Sequence, residues 1–317
     1  MLFRSVEKMS PQVLEILRMG AYQILYLEKI PKSAAVNESV NLAKENKAAK
    51  ASGFINAVLR SLIRNIDHIK MPDPETEPLK SLSVQYSCPE WLIRLWRESY
   101  GNDCMIGLLQ SAFQKPPIFA RVNNLSISEE NLMKRLELEG IKAKSVPWLE
   151  NAMELEQTGS ISHCKSFQEG LFHIQDLSSQ LCCFLFHPEP GERVMDVCSA
   201  PGGKAFTIAE NMENQGELLA FDQYKGKVRL IRQGAQRLKL TIIDAAVRDA
   251  SDPKTELAPA DRVLCDVPCS GLGIIRRKPE IKYKSESAID SLPDLQYRIL
   301  CKSSKFVKDN GTLFYST

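Results

Sequence analysis

Short apolar segments and helical segments alternate regularly over the last third of the chain, and this pattern constrains the fold more than any other feature. The predicted strands are 194–197, 218–221, 242–246, 262–265 and 312–315. Three helices are predicted: one that follows the first strand and ends at Asn211, one from Lys225 to Leu238 and one from Leu292 to Val307. Strands and helices that alternate in this way predict an α/β fold with a parallel, doubly wound, Rossmann-like sheet.

A turn of small residues follows the first predicted strand. Residues 196–204 read Asp-Val-Cys-Ser-Ala-Pro-Gly-Gly-Lys, so an apolar strand runs directly into the start of a helix. Ligands bind at the carboxyl ends of the strands in a doubly wound sheet, where the free N–H groups of a helix start can hold an anion. The sequence contains neither G-x-x-x-x-G-K-[ST] nor G-x-G-x-x-G, the patterns of phosphate and dinucleotide loops. An ordinary glycine turn is the plainer interpretation of this motif taken alone.

Three acidic residues stand where consecutive predicted strands end. Asp222 closes the second strand, Asp249 follows the third and Asp266 follows the fourth. A carboxylate after the second strand can accept hydrogen bonds from ribose hydroxyls, and one after the third can face an adenine amino group. Each acid alone is more often a cap or a loop residue, but the three together indicate a nucleoside cofactor.

The segment Asp-Val-Pro-Cys-Ser-Gly at 266–271 ends the fourth strand beside the predicted cofactor. Enzymes that methylate exocyclic amines commonly carry Asn/Asp-Pro-Pro-aromatic at this place. A cysteine instead suits methyl transfer to cytosine C5, which is too poor a nucleophile to attack a sulfonium methyl directly. A thiolate must first add to C6 while an acid polarises N3, so Cys269 and Asp266 are the candidate catalytic residues.

Cysteine usage and hydropathy narrow the protein class. Nine cysteines among 317 residues are too dilute for a disulfide scaffold, and we interpret them as the reduced thiols of a cytoplasmic protein. Paired C-x-x-C spacing does not occur, so no metal site is predicted. No apolar run approaches the ~20 residues of a membrane helix, and residues 1–12 lack the apolar region of a secretory signal.

The sequence upstream of the sheet predicts two further parts. Helical spacing over 11–64 indicates a helical domain, which a proline-rich acidic run separates from the rest. Next come a helix from Pro89 to about Gly101 and a β-α-β pattern over 119–155, in which Ser128 is the predicted N-cap of the helix. The predicted divisions are a helical domain at 1–70, a linker at 71–80, a helical connector with an α+β module at 81–190 and the Rossmann-like domain at 191–317.

Basic residues cluster in three places, although the net charge is only +2. Residues 1–70 contain 11 basic and 6 acidic side chains, and residues 225–239 contain six basic side chains and no acidic one. For both stretches a solvated helix face is an alternative to RNA contact. The third cluster lies just beyond the Pro-Cys motif and is predicted to contact RNA phosphates; it comprises Arg276, Arg277, Lys278, Lys282 and Lys284.

These motifs resemble the Sun group of RNA 5-methylcytosine methyltransferases, which use S-adenosylmethionine. Residues 196–204 are similar to the first motif of that family, and residues 266–282 are similar to its fourth. Residues 167–176 resemble the segment that precedes the catalytic domain. Residues 19–26, 34–38 and 53–60 resemble the NusB-like RNA-binding domain of one subfamily, so the likeness covers nearly the whole chain.

The resemblance implies a reaction and a role for each candidate residue. The reaction would be methyl transfer from S-adenosylmethionine to C5 of a cytosine in 16S ribosomal RNA of the small subunit. Separately, we expect the protein to be a monomer. Asp222 would hold the ribose, Asp249 the adenine side, and Asp266 would lie near the methyl group and the base. In this family the thiol at Cys269 is thought to assist product release. The cofactor's amino-acid end would lie against Cys198, Ser199, Ala200, Pro201, Gly202, Gly203 and Lys204.

The sequence departs from the family pattern at its fifth strand. The attacking thiol of the family belongs to a Thr-Cys pair there, and this sequence reads to Thr317. We therefore expect a fragment, shortened at both ends, that binds cofactor without completing the reaction. One alternative is that Cys269 itself attacks the base, as the Pro-Cys thiol of cytosine-5 DNA methyltransferases does. Another is a non-catalytic RNA-binding or assembly protein of NusB-like type.

Overall fold

The structure is a computed structural model that describes residues 6–156, 158–252 and 256–317. The chain divides into two compact units, Met1–Val84 and Gln85–Thr317. Residues 1–5 of the predicted helical domain, and the few positions between the described ranges, lie outside the described residues. No helix in the described ranges is long and apolar enough to cross a membrane.

The first unit is built from helices that pack around one apolar core. Helix α1 begins where the Ser10 hydroxyl accepts a hydrogen bond from the Val13 N–H. The helices pack closely at Gly20, because a Cβ there would lie 2.6 Å from Ser39 Oγ and 2.7 Å from Leu59 Cδ1. The prediction of helices over 11–64 is confirmed, and the helices are α1 (Pro11–Tyr26), α2 (Lys32–Glu45) and α3 (Ser52–Arg64).

One prediction for the region that follows needs correction, and another was incomplete. Helix α4 (Pro78–Gln85) begins inside the predicted linker, since a proline is well tolerated in the first turn of a helix. Helix α5 (Glu90–Ser111) is interrupted at Gly101, where the prediction ends its helix, and the sequence pattern missed the helical segment that follows. Gly101 takes φ 81 and kinks the helix, but the helical path resumes beyond it.

A small antiparallel sheet with helices follows α5 in the second unit. Ser128 caps its main helix, as predicted, by accepting a hydrogen bond from the Asn131 N–H. The strands lie in the order β2-β3-β1-β4. The sequence patterns predicted the first three strands but missed the short elements that close the module. The elements are β1 (Ile118–Val122), α6 (Glu129–Leu138), β2 (Lys142–Ser145), β3 (Ala152–Glu156), α7 (Lys165–Gln168) and β4 (Phe172–Ile174).

A five-stranded parallel sheet forms the rest of the second unit, in the order β7-β6-β5-β8-β9. The chain winds outward from β5 to β7 and then returns to β8 on the other side of β5, so the switch point lies between β5 and β8. The parallel, doubly wound arrangement was predicted. Its elements are α8 (Leu177–Phe186), β5 (Arg193–Asp196), α9 (Gly203–Asn211), β6 (Glu217–Asp222), α10 (Lys225–Leu238), β7 (Ile243–Val247), β8 (Ala260–Asp266), α11 (Ser287–Asp290), α12 (Leu292–Ser303) and β9 (Val307–Ser316).

The sheet is buried on both faces. Val194 and Leu218 belong to one apolar cluster, whereas the next residues along the same strands, Met195 and Leu219, belong to another. Because successive strand residues point to opposite faces, the two clusters lie on opposite sides of the sheet. The boundaries of the last two elements differ from the prediction: α12 ends at Ser303, and β9 is longer than the apolar segment that predicted it.

Candidate functional site

A cavity of about 280 Å³ opens at the carboxyl ends of strands β5 to β8, beside the switch point of the sheet. It brings together Cys198, Ala200, Asp222, Asp249, Asp266 and Cys269, all predicted from the sequence. The remaining lining residues are Val197, Gln223, Lys227, Arg248, Ala250, Ser251, Val267, Pro268, Leu295 and Ile299.

The turn between β5 and α9 is shaped by a glycine. Gly202 takes φ 111, and a Cβ there would collide with the Phe206 ring. Ser199 ties the turn to the neighbouring strand, because its N–H donates to the Phe221 carbonyl at 2.7 Å. No side chain caps the start of α9, so the N–H groups of its first turn stay available for an anionic ligand.

Asp196 ends β5 beneath this turn and is completely buried. Its Oδ1 accepts a hydrogen bond from the Cys198 N–H at 3.4 Å. Burial, and then the negative charge of Asp266, raise the pKa of Asp196 from 3.8 to about 7. The carboxyl group therefore takes up a proton within the neutral range.

Lys204 and Asp266 form an ion pair, with 2.8 Å between Nζ and Oδ2. The same Nζ donates to Ser179 Oγ at 3.3 Å. Burial opposes the positive charge, but the carboxylate of Asp266 outweighs it, and the pKa of Lys204 is raised. Lys204 is thus directed at Asp266 and does not line the cavity.

The two acids predicted to hold a nucleoside both line the cavity. Asp222 is 8% exposed, and its Oδ1 accepts a hydrogen bond from the Tyr224 N–H at 2.9 Å. Its Oδ2 lies 3.5 Å from Lys227 Nζ. Asp249 Oδ1 accepts from the N–H and the hydroxyl of Ser251, at 2.8 and 2.7 Å. Local hydrogen bonds therefore fix one oxygen of each carboxylate and set its direction.

Three cysteines lie at or near the cavity in different environments. Cys265 is fully buried, and burial raises its pKa to about 11. Burial, followed by the charge of Asp196, also raises the pKa of Cys198. Cys269 is the exposed one of the three and follows Pro268 at the cavity wall. Among the described residues, no group of three or more His, Cys, Asp or Glu side chains could hold a metal ion.

Sequence reasoning missed two cationic residues of the cavity. Lys227 faces Asp222, and the Arg248 guanidinium lies 5.1 Å from the centroid of the Phe221 ring. The backbone N–H of Arg248 donates to the Asp222 backbone carbonyl at 3.1 Å. The sequence signal that could have identified Arg248 as a cavity residue is its position directly before Asp249.

Lys282, in the basic cluster beyond the Pro-Cys motif, is bound inside the protein and does not face solvent as predicted. Lys282 is only 5% exposed, and its ammonium lies over the Phe113 ring and 3.4 Å from the Tyr86 carbonyl. The expectation that Lys282 faces RNA phosphate is therefore corrected, because its charge is already satisfied inside the unit.

The other members of that cluster lie nearer the surface. Arg276 donates to the Lys115 carbonyl at 3.0 Å, and Arg277 pairs with Asp176 at 3.0 Å. Lys278 is exposed. The prediction that this cluster contacts RNA phosphate thus remains open for Lys278, which is exposed.

The basic run at 225–239 is likewise not a simple solvated face. Arg237 donates to the Phe172 carbonyl at 3.0 Å, and its guanidinium lies 3.9 Å from the Phe167 ring centroid. Arg232 donates to the Ala245 carbonyl at 3.1 Å through Nε. These two side chains attach α10 to its neighbours, which neither of the sequence interpretations predicted.

Family comparisons divide the chain in a similar way. The family described as 16S rRNA methyltransferase RsmB/F matches residues 183–317. The NusB family matches residues 1–64, and the ferredoxin-like domain of RsmF/B-like methyltransferases matches residues 88–162.

Individual relatives carry the likeness over nearly the whole chain. A probable ribosomal RNA small subunit methyltransferase B of Bacillus subtilis is 38% identical over 314 residues, which are 98% of this chain and 70% of the relative. The ribosomal RNA small subunit methyltransferase B of Proteus mirabilis is 34% identical over 95% of this chain and 70% of its own length. A methyltransferase homolog protein from Pyrococcus horikoshii has a solved structure that is 27% identical, with a TM-score of 0.65 over 74% of this chain and 75% of that one.

The doubly wound parallel sheet and its cavity define a Rossmann-like methyltransferase whose cofactor is S-adenosylmethionine. With relatives of this identity and coverage, the chain belongs to the family of ribosomal RNA small subunit methyltransferase B.

The cavity fits this cofactor. The uncapped start of α9 offers N–H groups that suit the carboxylate of the amino-acid end. Asp222 and Asp249 each keep an oxygen that is not used by the neighbouring backbone, which suits ribose hydroxyls and an amino group. The turn between β5 and α9 consists of small residues, Cys-Ser-Ala-Pro-Gly-Gly at 198–203. Small side chains let a ligand approach the backbone of the turn closely.

Proposed function

We propose that the reaction served by this chain is methyl transfer from S-adenosylmethionine to C5 of a cytosine in the 16S RNA of the small ribosomal subunit. The observation that carries the proposal is the meeting of Asp266 and Cys269 with the two nucleoside-binding acids in one cavity. The relatives named as ribosomal RNA small subunit methyltransferases support the RNA substrate. A thiol beside the cavity supports carbon methylation.

In this proposal the residues of the glycine turn and the strand ends bind and orient the cofactor, which supplies an electrophilic methyl group when bound. Asp222 holds the ribose, and Asp249 holds the adenine side. The turn contributes N–H groups and a close backbone approach to the amino-acid end. The residues of this turn are Cys198, Ser199, Ala200, Pro201, Gly202, Gly203 and Lys204.

Asp266 and Cys269 act on the base. Asp266 is placed to hydrogen-bond the N3 edge of cytosine, and polarisation of that edge makes C6 a better electrophile for a thiolate. Lys204 orients Asp266 through the 2.8 Å ion pair. By the family likeness, the thiolate that adds to C6 is the cysteine of the Thr-Cys pair at the fifth strand, and Cys269 assists release of the methylated base.

RNA reaches the site from the side of the Pro-Cys loop. Lys278 is exposed beyond that loop and can contact phosphate, while Arg276 and Arg277 are tied to nearby backbone and to Asp176. A target cytosine within structured RNA has to be unpaired or flipped out to enter the cavity. We further propose that the protein works as a monomer in the cytoplasm, where ribosomal RNA is made and assembled.

Cofactor binding is the sharpest test, because it depends on residues that the cavity already brings together. Calorimetry with S-adenosylmethionine should give one site, and Asp222→Ala should weaken binding at least about tenfold, through loss of charge-assisted hydrogen bonds. Glu130→Ala, an exposed carboxylate of α6, is the matched control and should bind normally. No cofactor binding together with intact RNA binding would favour the non-catalytic assembly protein instead.

Methyl transfer identifies the base. Tritiated methyl from S-adenosylmethionine should enter small-subunit RNA as 5-methylcytidine, and a labelled adenosine or guanosine would contradict the cytosine assignment. RNA that contains 5-fluorocytosine traps the attacking thiol as a covalent adduct. An adduct that survives Cys269→Ala supports the release role of Cys269, whereas its loss would make Cys269 the nucleophile.

A further inference from the structure

Gln296 on α12 forms hydrogen bonds with two separate segments at the edge of the cavity. Its Nε2 donates to the Pro268 carbonyl at 2.8 Å and to Thr317 Oγ1 at 3.2 Å. Its Oε1 accepts from Tyr315 Oη at 3.3 Å. Because a carbonyl oxygen can only accept, the bond to Pro268 determines which end of the amide faces the loop.

The Pro268 carbonyl belongs to the peptide unit that also contains the Cys269 nitrogen. A second donor, Lys284 Nζ, lies 3.0 Å from the Ser270 carbonyl, immediately beyond the cysteine. On the strand side, the Val267 N–H donates to the Ser316 carbonyl at 3.0 Å. The exposed Cys269 thiol therefore sits on a short segment that is held before and after it.

We infer that Gln296 is a positioning residue that fixes the Cys269 thiol relative to the end of β9. It acts through the Pro268 carbonyl and does not line the cavity, although Leu295 and Ile299 of the same helix do. Helix α12 thus contributes two apolar residues to the cavity wall, and its Gln296 holds the Pro-Cys loop. We call the hydrogen bonds of Gln296 to Pro268, Tyr315 and Thr317 the clamp. The inference rests on the proposed function, in which the reacting base lies between the Pro-Cys loop and the neighbouring strand end.

The chemistry of the clamp requires a neutral amide. A carboxylate at this position would lack a donor and would repel the Pro268 carbonyl, even though it could still accept from Tyr315. A methionine would preserve the length and apolar packing of the side chain without any strong hydrogen bond. Gln296→Glu and Gln296→Met therefore separate loss of the clamp from loss of packing.

Alkylation of Cys269 reports on the loop without requiring turnover. Wild type and both variants are treated with iodoacetamide, and peptide mass spectrometry follows the rate at Cys269 relative to Cys104, an exposed thiol on α5. Loss of the clamp should raise the ratio about fivefold in Gln296→Met and further in Gln296→Glu, since one hydrogen bond is worth about that factor in an equilibrium. Gln233→Met, at an exposed position of α10, is the matched control and should leave the ratio unchanged.

An unchanged ratio in both Gln296 variants would overturn the inference, as would an equal change in the control. Methyl transfer to RNA adds a second measurement: the clamp variants should lower kcat about tenfold with little change in KM, because they misplace a group used in the reaction rather than in binding. The two claims can fail separately. If the wild type does not bind S-adenosylmethionine but the Gln296 variants still raise the alkylation ratio, the proposed function is contradicted and the clamp is supported.

Discussion

The ammonium of Lys204 lies 2.8 Å from the carboxylate of Asp266, and this pair joins the first turn of α9 to the end of β8. The two residues are 62 positions apart in the chain and come from the two motifs that sequence analysis singled out. Their side chains are mostly buried, with 15% and 30% exposed. The pair therefore connects the cofactor-binding turn to the loop that carries Cys269.

Removing the cation should destabilise both motifs. Lys204→Met leaves the Asp266 carboxylate without its partner in a poorly solvated site, so we expect the free energy of unfolding to fall by about 2 kcal/mol. Urea denaturation measures this change. Lys134→Met, which breaks the exposed pair with Glu130, is the control and should leave the free energy of unfolding almost unchanged, because solvent screens that pair. Equal losses in the two variants would contradict a structural role for the buried pair.

Asp196 should make stability depend on pH in the acidic to neutral range. Its folded pKa of about 7 lies above the ordinary value of 3.8, so between these values the folded state holds a proton that the unfolded state has lost. The free energy of unfolding should therefore fall as pH rises through this window, by about 1 kcal/mol per pH unit, and level off above it. Denaturant titrations at several pH values follow the trend.

Asp196→Asn is the diagnostic variant for that slope. A neutral amide replaces a carboxyl that is largely protonated below neutrality, so the variant should lose this part of the pH dependence. Asp103→Asn, at an exposed position of α5, should keep the wild-type slope. The same slope in wild type and Asp196→Asn would show that another group is responsible.

Lys278 and Lys282 should respond differently to substitution although they lie four positions apart. Lys278→Met removes an exposed charge, so the logarithmic salt dependence of binding to small-subunit RNA should decrease by about one unit. Lys282→Met removes an ammonium that is 5% exposed and bonded to the Tyr86 carbonyl, so it should lower stability by about 1 kcal/mol and leave the salt dependence unchanged. A reduced salt dependence in Lys282→Met would show that its charge does reach RNA.

Arg237 should be sensitive even to a conservative change. Its planar guanidinium stacks on Phe167 and donates to the Phe172 carbonyl, which an ammonium cannot do in the same geometry. Arg237→Lys should therefore lower the free energy of unfolding by about 2 kcal/mol. Arg229→Lys, at an exposed position of the same helix, should have little effect in the same denaturation assay. Similar stabilities for the two variants would contradict the structural role.

The alternation of apolar and helical segments was sufficient to predict the parallel sheet, because period-2 and period-3.6 patterns are local properties of the chain. The motifs at 196–204 and 266–271 were sufficient to predict the cavity, since the carboxyl ends of parallel strands meet at one edge. Asp222 and Asp249 were found by the same reasoning. These predictions needed only the order of residues along the chain.

Tertiary structure alone decided which groups the long polar and charged side chains bind. Nothing in the neighbourhood of Lys282 in the sequence indicates that Phe113 and Tyr86 surround its ammonium, and nothing near Gln296 indicates a bond to Pro268. The physical reason is that a long polar side chain takes its partner from whichever segment folding brings within about 3 Å of it. A sequence pattern determines which face of a helix or strand is buried. It does not determine the hydrogen-bond partner of a side chain on that face, because the partner belongs to a distant part of the chain.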